Sequence, residues 1–224
     1  MIDALFFDLD GTLTDNHAGI SGCIAHALDR MGAPAAAPAT LRDCIGPPLR
    51  ETFGRLLATN DALAIEAAIA FYRERFEIAG WSENEPYAGI HDTLAVLAGQ
   101  FRLFVCTAKP QRYAERIIDH FELRRFFAGV YGPDMGGRLD DKRALLQHAL
   151  AAENVTVPRA VMIGDRAQDM RAGRSNRLGA IGVLYGYGSA DELSDAGAEA
   201  LCDTVDALPA VVALRAGRKI ELSS

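Results

Sequence analysis

Lysine is scarce in this chain of 224 residues, and its basic residues do not cluster. Three lysines occur, Lys109, Lys142 and Lys219, and the formal net charge is -7. Nucleic-acid binding proteins carry dense basic patches, so we expect no nucleic-acid polymer among the partners. The acidic balance leaves a small phosphorylated metabolite open as a ligand.

The chain also lacks paired cysteines and long apolar runs. Its cysteines, Cys23, Cys44, Cys106 and Cys202, lie far apart without CxxC spacing, which favours buried thiols over a zinc site or disulfides. No apolar run approaches the length needed to cross a bilayer, and the first residues carry acids rather than a basic leader. We therefore expect no membrane span, no signal peptide and a cytoplasmic, reducing location.

The sequence does contain an apolar run that ends in two aspartates. Residues 4–7, Ala-Leu-Phe-Phe, lead into Asp8-Leu-Asp10, and a glycine and a threonine follow. This pattern predicts a buried strand that ends in a turn, with Asp8 at the strand end where open parallel sheets hold ligands. Unpaired carboxylates are costly to bury, so the pair indicates a cation site or proton transfer. An ordinary Asp-Gly turn is the simpler alternative.

Two kinds of pattern divide the chain. Apolar residues recur at helical spacing from residue 16 to about residue 80, without a β-rich stretch. Beyond Pro86, helices alternate with strand-like runs at 103–106, 130–131, 160–163, 180–183 and 200–202. Such alternation predicts an α/β fold with a doubly wound, mainly parallel, Rossmann-like sheet that includes the first strand. We predict a core over residues 1–15 and 81–224, with a helical insert over residues 16–80.

Further polar side chains stand directly after predicted strands or at a helix start: Thr107, Lys142, Asp165 and Asp169. The carboxyl ends of parallel strands meet at one edge of a sheet, so we expect these side chains to converge with the two aspartates of the first strand. Several carboxylates around one point repel one another unless a hard divalent cation neutralises them. The predicted site offers only a few oxygen ligands from the protein and leaves room for water and a phosphate. This combination favours Mg²⁺ as the cation.

The chain resembles phosphohydrolases of the haloacid dehalogenase superfamily, whose four motifs it matches in order. The first motif is matched by Asp8-Leu-Asp10-Gly-Thr-Leu, the second by Thr107, the third by Lys142, and the fourth by Gly-Asp165 with Asp169. The helical insert resembles the helical cap of that superfamily. The segments 45–49 and 87–90 resemble the branch of phosphoglycolate phosphatases and 5'-nucleotidases.

This resemblance implies Mg²⁺-dependent hydrolysis of phosphoglycolate, a nucleoside 5'-monophosphate or another small phosphomonoester. Asp8 would attack phosphorus and form an aspartyl-phosphate. Asp10 would protonate the leaving alcohol and then take a proton from water. The protein would act as a monomer or a homodimer.

The resemblance also assigns ligands. Mg²⁺ would be held by Asp8, the Asp10 backbone carbonyl and Asp165, with Asp169 orienting a metal-bound water. The phosphoryl oxygens would be held by Thr107 and Lys142. In the insert, Arg50 follows a Gly-Pro-Pro break and is the candidate for touching the leaving group.

Two other functions are alternatives to phosphomonoester hydrolysis, and two further features of the sequence are interpreted as structural. A β-phosphoglucomutase resembles the first motif but needs a histidine where this chain has Ile20. A non-catalytic phosphate sensor would keep its acyl-phosphate, which Asp10 would help to hydrolyse. Lys109 is interpreted as structural or peripheral, and the glycine-containing segment 186–189 as a loop.

Overall fold

A six-stranded parallel sheet forms the centre of one of two units. The computed structural model describes residues 2–157 and 159–217. Lys219 therefore lies outside the described residues. The strands in chain order are β1 (Ala4–Phe7), β2 (Thr14–Asp15), β3 (Glu85–Pro86), β4 (Arg102–Cys106), β5 (Phe127–Tyr131), β6 (Ala160–Gly164), β7 (Gly179–Val183) and β8 (Ala200–Cys202). The large sheet has the order β5-β4-β1-β6-β7-β8, and each neighbouring pair is parallel. The predicted doubly wound α/β fold is confirmed.

The two units consist of Met1–Thr14 with Pro86–Ser224, and of Asp15–Glu85. We call them the α/β unit and the helical unit. The return to the α/β unit falls after Glu85, later than the predicted position after residue 80. The reason is local: the Gly19 N–H donates to the Glu83 carbonyl at 3.1 Å, and Arg75 pairs with the Glu83 carboxylate at 2.8 Å, so residues 81–85 stay with the helices.

The helical unit contains α1 (His17–Arg30), α2 (Pro38–Arg42), α3 (Leu49–Leu56), α4 (Ala62–Arg75) and a π-helical turn over Phe76–Gly80. The Asp61 carboxylate begins α4 by accepting the Leu63 N–H at 3.0 Å, which satisfies a backbone donor at the helix start. The core between the helices contains an aromatic group in which the rings of Tyr72 and Phe76 stack at 5.8 Å. Helical periodicity therefore predicted α1, α3 and α4, whereas the short helix α2 and the π-helical turn were not predicted.

Helices cover the sheet of the α/β unit: α5 (Ile90–Ala98), α6 (Gln111–His120), α7 (Lys142–Ala152), α8 (Ala167–Ser175), α9 (Ala190–Ala196) and α10 (Leu208–Ala216). On one face, α7 packs Leu146 and Ala149 against Phe6 and Phe104 of the strands. The rings of Phe6 and Phe104 stack at 4.8 Å. None of the helices in the described ranges is both long enough and apolar enough to span a bilayer.

The register of the central strands determines which loop residues lie next to one another at the edge of the sheet. Phe7 of β1 is level with Val105 of β4 and with Ile163 of β6. Because the strands are parallel, the residues that follow β1, β4 and β6 emerge at the same edge. β1 lies between β4 and β6, so the loop after β1 is central to that edge.

Candidate active site

Asp8 is the first residue after β1 and is almost fully buried. Its N–H donates to the Ile163 carbonyl at 2.9 Å, which continues the pairing of β1 with β6. Its Oδ1 accepts the N–H of Leu9 at 2.8 Å. The Asp8 carboxylate is therefore fixed by both the sheet and its own loop.

Gly11 lets the loop after β1 turn back beside Asp165. Its φ is +83°, a conformation that side chains disfavour, and a Cβ at this position would lie 2.2 Å from Oδ2 of Asp165. The next residue, Thr12, donates its hydroxyl to Oδ1 of Asp165 at 3.3 Å. The first and fourth predicted motifs are thus in direct contact.

Asp165 and Asp169 lie on the loop after β6 and in the first turn of α8, and both are fully buried. Asp165 accepts the Tyr187 N–H on Oδ2 at 2.9 Å. Asp169 accepts the Arg166 N–H on Oδ2 at 3.0 Å, which caps the start of α8. One oxygen from each of Asp8, Asp165 and Asp169 lies within 4.8 Å of the others. The structure therefore contains a buried acidic triad.

Two buried lysines contact these acids. Lys142 is the first residue of α7, where Asp141 caps the helix by accepting the Arg143 N–H at 2.9 Å. The Lys142 Nζ lies 2.8 Å from Asp8 Oδ1 and also pairs with Asp169 Oδ1.

Lys109 follows β4, and its Nζ lies 2.9 Å from Asp10 Oδ2. The sequence pattern favours a structural or peripheral role for Lys109. The structure instead places its ammonium group on the second aspartate of the first motif.

Burial perturbs the protonation of the acidic groups. It raises the pKa of Asp165 well above the usual value, and the charges of Asp169 and Asp8 add to the effect. Burial also raises the pKa of Asp169 to about 6, against the opposing charge of Lys142. The pKa of Asp10 is raised by burial as well, although Lys109 lowers it in part. The pKa of Lys142 rises because Asp169 and Asp8 outweigh its burial.

The donor set fits a hard divalent cation. The triad supplies carboxylate oxygens, the ligands that Mg²⁺ prefers. In residues 2–157 and 159–217, Asp165 makes no ion pair with a basic side chain, although the charge of Arg166 partly opposes the rise in its pKa. Asp169, predicted to support the metal from outside, contributes an oxygen to the triad, although Lys142 and the Arg166 N–H already contact its carboxylate.

The structure brings six predicted residues into the α/β unit, all of them buried: Asp8, Asp10, Thr107, Lys142, Asp165 and Asp169. Thr107 directly follows β4, and its hydroxyl oxygen accepts the Lys109 N–H at 3.2 Å. Arg50 lies in the helical unit, where its Nε contacts Glu66 Oε1 at 2.7 Å. Sequence reasoning missed Lys109 and Thr12 as parts of the site. The scarcity of lysine, with Lys109 only two residues after Thr107, was a usable signal.

Comparisons with known proteins identify the family of this chain. The model of the haloacid dehalogenase-like hydrolase family matches residues 5–183. The chain is 40% identical over 190 residues to a 5'-nucleotidase of Pseudomonas aeruginosa, covering 84% of this chain and 86% of that protein. It is 37% identical over 188 residues to tyrosine-protein kinase PtkA of Mycobacterium tuberculosis, covering 84% of this chain and 64% of that protein. A crystal structure of a "predicted phosphatase" from Clostridium acetobutylicum superposes with a TM-score of 0.91 at 34% identity, covering 95% of this chain and 98% of that one.

Proposed function

The chain belongs to the haloacid dehalogenase-like hydrolase family, and we propose that it is a Mg²⁺-dependent phosphatase of small phosphomonoesters. The observation that carries the proposal is the position of Asp8. It stands at the end of the central strand, with an oxygen in the acidic triad and Lys142 at 2.8 Å. A carboxylate held between a cation site and an ammonium group is suited to attack a phosphoryl group whose charge those cations offset.

The first step would transfer the phosphoryl group to Asp8. A carboxylate oxygen of Asp8 forms a bond to phosphorus while the bond from phosphorus to the substrate's ester oxygen breaks. Asp10 gives a proton to the departing oxygen, and its raised pKa favours the protonated form that this role requires. The Thr107 hydroxyl and the Lys142 ammonium would hold the phosphoryl oxygens during the transfer.

The second step would hydrolyse the aspartyl-phosphate. Asp10, now ionised, takes a proton from water, whose oxygen bonds to phosphorus as the bond to Asp8 breaks. Inorganic phosphate leaves, and both carboxylates return to their starting states. The Lys109 ammonium, 2.9 Å from Asp10 Oδ2, would stabilise the ionised form of Asp10 that this step needs.

Mg²⁺ would be held by Asp8, the Asp10 backbone carbonyl and Asp165, with Asp169 in support. When bound, it would supply positive charge to the triad and to the phosphoryl oxygens. The helical unit would act as the cap that selects the leaving group, with Arg50 as its candidate residue. The buried state of all the cysteines is compatible with a cytoplasmic, reducing location.

Nucleoside 5'-monophosphates are the favoured substrates because the relative at 40% identity is named a 5'-nucleotidase. Phosphoglycolate is a further candidate substrate and is included in the test below. A second candidate function is phosphoryl transfer to protein tyrosine, because the relative at 37% identity is named a tyrosine-protein kinase. That function would need a phosphoryl donor such as ATP and an acceptor peptide.

The test is release of inorganic phosphate from nucleoside monophosphates, phosphoglycolate and sugar phosphates. We expect turnover that requires Mg²⁺ and falls by more than about 10⁴-fold in Asp8→Asn. The matched control is Asp195→Asn, an exposed acid on α9, which should retain full activity. Full turnover by Asp8→Asn, or in excess EDTA, would contradict the proposal. Phosphotyrosine formed from ATP without phosphate release would favour the second function.

A further inference from the structure

Residues 185–192 comprise most of the loop between β7 and α9 and the first three residues of α9, and they contact the loops that follow β1 and β6. We propose that this 185–192 segment is a positioning element that holds the Asp165 carboxylate in the orientation that Mg²⁺ requires. The inference rests on the proposed function, because it assumes that the acidic triad binds this cation. The sequence pattern of residues 186–189 predicts a loop and no more than that.

The segment first contacts the loop after β1. The Tyr185 hydroxyl donates to the Thr12 carbonyl at 3.1 Å. The Tyr187 ring lies against Gly11, since a Cβ on that glycine would be 2.7 Å from Tyr187 Cδ2. The position of this end of the segment is therefore tied to the loop that carries the nucleophile.

The middle of the segment contacts Asp165 through its backbone. The Tyr187 N–H donates to Asp165 Oδ2 at 2.9 Å. Glycines on either side allow this approach. A Cβ on Gly186 would lie 2.4 Å from Asp165 Cβ, and a Cβ on Gly188 would lie 2.0 Å from the Asp165 carbonyl oxygen. Any side chain at these positions would push the segment away from the carboxylate.

The far end of the segment is anchored by Glu192. Its Oε1 accepts the Ala167 N–H at 2.8 Å and pairs with Arg166 Nε at 3.0 Å. Both partners follow Asp165 directly in the chain. Ser189 fixes the start of α9 by accepting the Glu192 N–H at 3.1 Å. The segment is thus held in place on both sides of the Tyr187 N–H group, which donates to Asp165.

Asp165 depends on these contacts for its orientation. In the part of the chain that the structure describes, its carboxylate is contacted by the Thr12 hydroxyl and the Tyr187 N–H and by no basic side chain. Groups that orient a metal ligand typically change metal affinity by about 10–100-fold when they are removed. Glu192 touches neither the triad nor any reacting atom. It should therefore affect Mg²⁺ affinity only by fixing the position of the 185–192 segment against Asp165.

The experiment measures Mg²⁺ binding directly, by calorimetric titration of MgCl₂ into the metal-free full-length protein. Glu192→Ala should raise the Mg²⁺ Kd by about tenfold or more. The control is Asp195→Ala, which removes the same charge from an exposed position on α9 and should bind like the wild type. Urea denaturation in EDTA, measured on each variant, separates weaker metal binding from loss of folding.

A Glu192→Ala protein with the wild-type Kd would overturn the inference, whether or not its stability fell, because the role would then be structural alone. Gly188→Ala provides a second test, and it should weaken Mg²⁺ binding while Glu192 is intact. Wild-type affinity in a folded Gly188→Ala protein would likewise overturn the inference. Failure of the proposed function looks different, since the wild type itself would then release no phosphate and show no heat with MgCl₂.

Discussion

The two units differ in where they keep their charges. The α/β unit buries six charged side chains: Asp8, Asp10, Lys109, Lys142, Asp165 and Asp169. In the helical unit, among the residues described, the buried polar side chains are the uncharged Asn16 and Thr52. Its ion pairs are exposed or half-buried, as in Arg30–Glu74 and Arg50–Glu66. Among the described residues, buried charge is therefore confined to the α/β unit, whereas exposed ion pairs occur in both units.

This difference shows which charges carry information about function. A buried charge loses its hydration, and a fold retains it only where other charges or a ligand compensate. Clusters of such groups with shifted pKa values are typical of active sites. An exposed ion pair contributes little and occurs on most protein surfaces. The buried acids and lysines of the α/β unit thus identify the site, whereas the surface arginines of the helical unit do not identify a substrate.

The largest effect should come from removing Lys142. Lys142→Met leaves Asp8 and Asp169 buried without their shared cation, so we expect a loss of about 3–5 kcal/mol in the free energy of unfolding in EDTA. Arg143→Met, on the neighbouring residue, removes an exposed pair with Asp141 and should leave the free energy of unfolding almost unchanged. Urea denaturation followed by circular dichroism measures both. Equal losses in the two variants would contradict the contrast between buried and exposed charges.

Removing Lys109 should act mainly on turnover. Lys109→Met deprives the ionised form of Asp10 of a charged contact worth about 1.5–3 kcal/mol, which corresponds to about a 10–150-fold fall in kcat. Because ionised Asp10 is needed in the second step, phosphorylated protein should accumulate, and rapid quenching with labelled substrate would detect it. Lys109→Arg keeps the charge and should recover part of the rate. An unchanged kcat in Lys109→Met would return this lysine to a structural role.

The affinity for Mg²⁺ should rise with pH between about 5.5 and 7.5. The pKa of Asp169 is raised to about 6 and that of Asp165 is also raised, so these acids hold protons at the lower end of that range. A cation must displace those protons to bind, which weakens binding by up to about tenfold per pH unit for each proton. Calorimetric titration at several pH values measures the dependence. A Kd that is constant over this range would show that the triad does not take the cation.

The smallest effect on stability should come from Arg50. Arg50→Ala and Glu66→Ala break the same exposed pair, and each should cost less than about 1 kcal/mol. If Arg50 touches the leaving group, Arg50→Ala alone should raise KM severalfold at nearly constant kcat, while Glu66→Ala keeps the wild-type KM. Steady-state kinetics on the preferred substrate measures KM and kcat for both variants and so distinguishes a substrate role of Arg50 from a surface ion pair alone. Equal KM values in both variants would exclude a substrate role for Arg50.

The convergence of polar residues at one edge of the sheet could be predicted because its signals are local and its geometry is general. Each of Asp8, Thr107 and Asp165 follows a run of apolar residues, and parallel strands bring such positions together in any doubly wound sheet. Four strands, β4 to β7, were nevertheless predicted one to three residues too short. The clearest case is β5, which begins at Phe127 rather than at residue 130, because Ala128 and Gly129 weaken the strand pattern.

Contacts between distant residues could not be predicted in the same way. The pairing of Arg50 with Glu66 joins two different helices, and periodicity describes each helix alone. The short helix α9 was missed because it has only seven residues and follows a glycine-containing segment. Ser189 and Glu192 three residues later were a helix-start signal. The second role of Glu192, at the start of α8, became visible only in the structure.

The paired strands β2 and β3 bring the entry and exit of the inserted helices side by side. When two such points are already adjacent, the entropy of closing the chain between them grows only slowly with its length. Evolution could therefore lengthen, trim or exchange residues 16–84 without shifting the register of β1 against its neighbours. Protein engineers could use the same junction to graft recognition modules from other proteins onto an unchanged catalytic framework.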